Sequence, residues 1–341
     1  MNSGTKLSFP RRISIAAINI LTPLCFSIAA LYYAVREISG RELWLIDMLG
    51  YILPWLLMPA IVLLPAVILL RRSRIMHILT LTPIVLFIFT YGHLYLPDIA
   101  APPSSSAFSV MTYNVLGSNS DFDNISVVID ADDPDIVGLH ELSSSMVEFL
   151  DDHYAERYPY RRLEKWVGLM SRYPILEYEF FRLDEGDGTW AQRFVLDIDG
   201  HHTNLLNVHP QSPPLKGIRP LGLPIGIPTG FEDQRRDADL RDVVSRVEIL
   251  GDPILVIGDF NLADQQSLYA LLTERLKDAH RESGWGMGFT FSRFPPFAPA
   301  MWRIDYILYS QALVALKTTT GDYGGSDHRP VIALLAFREI D

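Results

Sequence analysis

The stretch Leu255-Val256-Ile257-Gly258-Asp259-Phe260-Asn261 decides the fold. Apolar, β-favouring residues run straight into Gly-Asp, and a second polar side chain follows two positions on. That is the pattern of a buried strand ending at a polar rim. Working outward, the same ending recurs. Asn114 follows a strand predicted over 108–113, Glu141 one over 136–139, and His209 one over 203–208. Asp305 opens the run 306–309, and Asp327 and His328 lie just before the run 331–337. Further apolar runs at 167–170 and 193–198 also read as strands. Between them, 123–131, 143–154, 233–250 and 265–276 read as helices, several opened by Asp or Ser caps. Mixed strands interleaved with helices predict an α+β layered domain over residues 108–341.

Taken singly, each polar end reads as a turn former, and His209 before Pro210 as an ordinary surface or core histidine. A series of strand ends carrying Asn, Glu, His, Asp with Asn, Asp, and Asp-His is a different matter. Strand-to-loop junctions place side chains on a rigid scaffold at one rim, where chemistry is commonly built.

The front of the chain differs. Only 20% of the 341 residues are charged, and the mean hydropathy is +0.16. Residues 1–100 hold eight basic side chains against four acidic ones, a net of +4, so the rest carries 21 basic against 36 acidic, a net of −15. A disordered chain is excluded and a single cytosolic domain disfavoured. The lone cysteine, Cys25, excludes an intrachain disulfide and a thiolate-cluster metal site. The acidic body argues against gripping nucleic acid by counterion release.

Residues 13–34, 43–70 and 75–96 are apolar runs long enough to cross a bilayer, the second interrupted only by Asp47. Lys6, Arg11 and Arg12 precede the first, and Arg71, Arg72 and Arg74 separate the second from the third. Arg36 and Arg41 alone are basic between the first and second. The positive-inside rule then predicts an inner (cell) membrane protein with its body extracytoplasmic. Residues 101–107, rich in Pro and Ser, read as a linker.

Thr112-Tyr113-Asn114-Val115, His140-Glu141, Met170-Ser171-Arg172-Tyr173-Pro174-Ile175, Asn207-Val208-His209, Gly258-Asp259-Phe260-Asn261, Trp302-Arg303-Ile304-Asp305-Tyr306-Ile307 and Ser326-Asp327-His328-Arg329-Pro330 together resemble the endonuclease/exonuclease/phosphatase superfamily with its deoxyribonuclease I-like fold. The resemblance covers 108–337, and the preceding spans look like a bacterial membrane-anchored branch. It implies a four-layer α/β/β/α sandwich and divalent-metal-dependent hydrolysis of a phosphate ester. Glu141 would offer a hard oxygen to Mg²⁺ or Mn²⁺, with Asn114 as its companion. Asp259 would orient and deprotonate the attacking water, and Asn261 would donate to phosphoryl oxygens. His328 would contact the phosphate, its ring held by Asp327 or Asp305. His209 would contact phosphate or protonate the leaving group. Leu116 stands where the family often has a second polar residue, which weakens any second metal there.

Two loops, 212–230 and 284–302, are rich in Pro, Gly and aromatic residues. They read either as rigid loops packed on the sandwich or as an apolar rim facing the bilayer. The substrate expected is a lipid or other membrane-proximal phosphodiester or phosphomonoester. The alternatives are an extracytoplasmic nuclease and an inactive interaction module. No obligate protein partner is evident.

Overall fold

The computed structural model describes residues 9–39, 43–70, 72–96, 107–218, 227–293 and 299–338. They form two compact units, Met1–His93 and Leu94–Asp341.

The first unit is helical: α1 (Phe9–Ser39), α2 (Trp44–Leu57), α3 (Pro59–Leu69) and α4 (Arg74–Tyr91). Among the described residues three stretches are long and apolar enough to cross a membrane, Ile15–Ile38, Trp44–Leu69 and Arg74–Tyr95. The shortest has 22 residues, or about 33 Å of helix. The second predicted span is two helices because Pro59 has no N–H to give and its ring opposes a continuous turn. Ser73 caps α4 by accepting from Met76 N. The helices pack on one another through Ile18, Val67 and Met76, while Val62 and Phe89, 78% and 86% exposed, point outward. A helix apolar on its outer face as well as its inner one is suited to lipid.

Among its described residues the second unit has fourteen strands, β1 (Ala107–Asn114), β2 (Ile136–Leu142), β3 (Tyr160–Leu163), β4 (Trp166–Ser171), β5 (Ile175–Arg182), β6 (Trp190–Ile198), β7 (His201–Val208), β8 (Leu215–Ile218), β9 (Ile227–Phe231), β10 (Ile254–Asp259), β11 (Lys277–Asp278), β12 (Asp305–Tyr309), β13 (Leu313–Thr320) and β14 (Val331–Phe337). Its helices are α5 (Phe122–Asp132), α6 (Ser144–His153), α7 (Gln234–Ile249), α8 (Ser267–Leu272) and α9 (Ala279–Ser283). One six-stranded sheet runs β13-β14-β1-β2-β4-β3 and the other β11-β12-β10-β7-β6-β5. Their inner faces meet through Val110, Leu169, Phe194, Leu205 and Ile257. The outer face of the first sheet packs Met111 and Val137 with Ile125, Ile129 and Leu150 from α5 and α6. The second packs Leu206 and Val256 with Leu240, Val243 and Leu268 from α7 and α8. The result is the expected four-layer α+β sandwich.

Each predicted strand is present, the last over the predicted 331–337 itself and the others one to a few residues longer at an end. The edge strands β3 and β5 were not legible because their outward positions carry Arg and Glu side chains, as edges do. The helix expected over 265–276 is the shorter α8, Ser267–Leu272; Lys277 and Asp278 pair with β12 as β11, and Asp278 Oδ1 then caps α9 by accepting from His280 N and Arg281 N. Part of the loop 212–230 is a two-stranded ribbon, β8 with β9. Residues 101–106 of the linker, 219–226 of that loop, and 294–298 lie outside the described residues.

Candidate active site

Two parallel pairings generate the site. β1 pairs parallel with β2, Asn114 opposite His140, and β7 pairs parallel with β10, Val208 opposite Gly258. All four therefore end on one side, as ligand sites of open α/β sheets require. The antiparallel pairing of β10 with β12 sets Asp259 across from Asp305. β14 runs antiparallel to β1, with Thr112 opposite Val331, so the 326–330 segment arrives at the same rim.

Asn114 joins the two sheets there. Its Nδ2 donates to Glu141 Oε1 at 2.9 Å and to Asp259 Oδ2 at 3.0 Å. Its Oδ1 accepts from Leu116 N at 3.0 Å, which fixes the amide's orientation. Asn114 thus offers the two carboxylates a donor and turns its oxygen away from them. Glu141 Oε2 accepts from Gly117 N at 3.1 Å. Glu141 occupies a β-bulge against β4 with φ 60°, and Asn261 has φ 47°. Left-handed backbone at a non-glycine residue is strain held by its surroundings, and here two such residues flank one cleft.

Asp259 is buried and central. Its Oδ1 accepts from Asn261 N at 2.9 Å, and its Oδ2 lies 3.6 Å from both His209 Nε2 and His328 Nε2. His209 Nε2 is also 3.8 Å from Glu141 Oε1. These gaps exceed a hydrogen bond, so the groups converge without satisfying one another. Asn261 Nδ2 donates to Pro210 O at 3.1 Å, tying the residue after His209 to this turn. Beneath it the buried Arg236 donates to Asn261 O at 3.3 Å.

Asp305, not Asp327, holds the ring of His328: Nδ1 to Asp305 Oδ2 is 2.9 Å, whereas Asp327 Oδ1 stands 4.0 Å from Nε2. The strand register explains this, since Asp305 starts β12 beside Asp259 while Asp327 lies in the connecting turn. Burial alone would lower the His328 pKa, but the charges of Asp305 and Asp259, the Asp305 hydrogen bond and Asp327 outweigh it and push it up to about 10. Burial moves Asp305 and Asp327 above the ordinary carboxylate range. The ring of Phe291 lies 4.8 Å from that of His328. Ser326 Oγ donates to Asn114 O at 2.7 Å and accepts from His328 N at 3.0 Å, which locks the last loop to β1. The roles of Ser326 in locking the last loop to β1 and of Phe291 beside His328 are not legible in the sequence, because Ser326 reaches Asn114, 212 residues away, and Phe291 meets His328 across a bridge between loops.

The donor chemistry fits a small divalent cation, and the charges indicate where. Asp259, Asp305 and His328 offer atoms within 4.8 Å of one another, but a protonated His328 already compensates that pair. Glu141 is one-third exposed, and among the described residues its two oxygens accept hydrogen bonds from the neutral N–H groups of Asn114 and Gly117. It therefore keeps an uncompensated charge, as a hard cation requires. Arg161 pairs with Asp151 at 2.5 Å, and Arg236 is turned inward.

No curated protein matches the chain. The structure resembles an endonuclease/exonuclease/phosphatase from Bacteroides vulgatus, at 19% identity and TM-score 0.54 over 68% of this chain and all of that one. It also resembles a mannosyl-6-phosphatase from Bacteroides thetaiotaomicron, at 18% identity and TM-score 0.53 over 67% of this chain and 100% of that one. A third likeness is to TDP2 of D. rerio complexed with a single-strand DNA product, at 16% identity and TM-score 0.51, covering 67% and 99%. These likenesses are of fold. The signature of the Endonuclease/Exonuclease/phosphatase family, whose members are phosphoesterase hydrolases that generally use divalent metals, matches residues 111–328, and the chain belongs to that family.

Proposed function

We propose that this chain is a membrane-anchored, Mg²⁺- or Mn²⁺-dependent phosphoesterase that attacks its substrate in line with a water activated by Asp259. The observation that carries the reading is the chain Asp305–His328–Asp259, in which one buried carboxylate orients an imidazole toward another carboxylate at the strand ends. Asp259 Oδ2 faces the cleft and can take a proton from water. The His328 imidazolium donates through Nε2 to a phosphoryl oxygen, a preorganised charge where charge develops. Asp305 keeps that ring in its tautomer and orientation, as carboxylate–histidine pairs do. His209 stands opposite, between Glu141 and Asp259, to meet the phosphate or the leaving oxygen. Asn261, bonded to Pro210, positions that histidine's loop and stands beside the phosphoryl group. Glu141, its carboxylate oriented by the Asn114 amide, would hold the cation, which when bound would supply Lewis-acid stabilisation of charge on the phosphoryl and leaving oxygens.

The substrate we assign is the phosphate ester of a lipid or another membrane-proximal molecule. Three stretches able to span a membrane precede the domain, the domain is strongly acidic, and Trp285, 72% exposed, is an aromatic suited to an interface. The positive-inside bias puts the domain on the extracytoplasmic side. The test is hydrolysis of bis(p-nitrophenyl) phosphate by the full-length protein in detergent with Mn²⁺ or Mg²⁺. Activity should vanish with EDTA, and Asp259→Asn should lose roughly 10²-fold or more in kcat while keeping its Tm. A folded Asp259→Asn protein of near-normal turnover overturns the assignment. Phospholipid vesicles should then be preferred to plasmid DNA; the reverse preference identifies a nuclease.

A further inference from the structure

The residues just behind the catalytic side chains form a polar bridge between the sheets. His140 on β2 and Asn207 on β7 are fully buried, and His140 Nε2 lies 2.7 Å from Asn207 Oδ1. The amide of Asn207 has one possible orientation. Its Nδ2 donates to Gly168 O on β4 at 2.9 Å and to Gln192 Oε1 on β6 at 3.2 Å, and a carbonyl oxygen can only accept. Oδ1 therefore accepts, and His140 carries its proton on Nε2. Its Nδ1 is buried with no hydrogen-bond partner among the described residues. Gly138, next but one to His140, leaves room for the bridge, since a Cβ there would come within 2.9 Å of Asn207 Oδ1.

The bridge sits where position matters. His140 immediately precedes Glu141, the extra residue of the β-bulge, whose left-handed backbone nothing in its own strand enforces. Asn207 lies two residues before His209. The bond thus ties together the two strands whose next side chains, Glu141 and His209, face each other at 3.8 Å.

Resting on the hydrolytic reading above, we propose that His140 and Asn207 are positioning residues: the Nε2–H to Oδ1 bond sets the spacing of Glu141 and His209 across the cleft. A buried network in which few partners can be exchanged is suited to such a task.

Two substitutions of the same chemical class separate positioning from mere packing. A glutamine amide reaches about as far as the imidazole Nε2, whereas an asparagine amide reaches only as far as Nδ1. With full-length protein and bis(p-nitrophenyl) phosphate, His140→Gln should keep kcat within about threefold. His140→Asn should lose about tenfold or more in kcat with KM within threefold, because small misplacements near reacting groups are costly. Their Tm values should agree. Equal activity of the two variants, a loss that tracks Tm, or failure of either one to fold overturns the proposal. Asp259→Asn measured in parallel keeps the two readings apart. If it is active, the hydrolytic assignment fails; if it is inactive while His140→Asn is normal, only the positioning role fails.

Discussion

At the residue scale, the His328 proton is the most consequential feature. Its folded pKa, about 10, lies above the ordinary value of 6.5. The interaction therefore contributes stability that is fully present below the unfolded value and is lost as pH rises through the folded one. Turnover should follow the same limb, because the neutral ring cannot donate to a developing charge. We expect kcat to stay level from neutrality into mildly alkaline pH and to fall near 10. Asp305→Asn removes the charge that does most to raise this pKa, so its limb should move down toward that of an ordinary histidine. A pH–rate profile of both proteins checks this, and an unmoved limb would assign the titration to another group.

At the element scale, the close approach of β7 and β10 decides whether the site assembles. Gly258 lies directly against β7, and a Cβ there would fall 1.9 Å from Val208 O. Backbone cannot yield as a side-chain tip can. Gly258→Ala should therefore destabilise the domain by about 3 kcal/mol or more, beyond ordinary overpacking, read as a fall in the midpoint of denaturant unfolding. Gly138 differs: its nearest clash would be Ile257 Cδ1, the far end of a movable side chain. Much of this was legible, since an apolar run broken by Gly-Asp announces a strand end. The neighbour of that strand was not, because nothing local in 254–259 encodes a parallel partner at 204–208.

At the scale of the whole molecule, the distribution of charge and apolar length makes its own prediction. The stretches Ile15–Ile38, Trp44–Leu69 and Arg74–Tyr95 carry no more charge than a bilayer tolerates, and the basic residues cluster before the first and between the last two. The full-length chain should therefore stay in the membrane pellet after alkaline carbonate washing. An alkaline phosphatase reporter fused after Asp341 should be active, since that enzyme folds only outside the cytoplasm. An active cytoplasmic reporter at the same position would reverse the orientation.

Local chemistry alone determined a good deal. Apolar runs long enough for lipid, the short strands, the capped helices and a polar residue at each strand end all depend on residues within a few positions of one another. So does the list of candidate site side chains, because the spacing of Gly258-Asp259-Phe260-Asn261 and Ser326-Asp327-His328 is local. Which carboxylate serves which histidine was decided in three dimensions: Asp327 is adjacent to His328 in the chain, yet Asp305 holds its ring because β12 pairs with β10. The inward turn of Arg236, the donor role of the Asn114 amide and the bridge from His140 to Asn207 arise in the same way. Each is a contact between elements distant in sequence, and for Asn114 and the His140–Asn207 pair the partner is set by sheet register and by the meeting of two sheets.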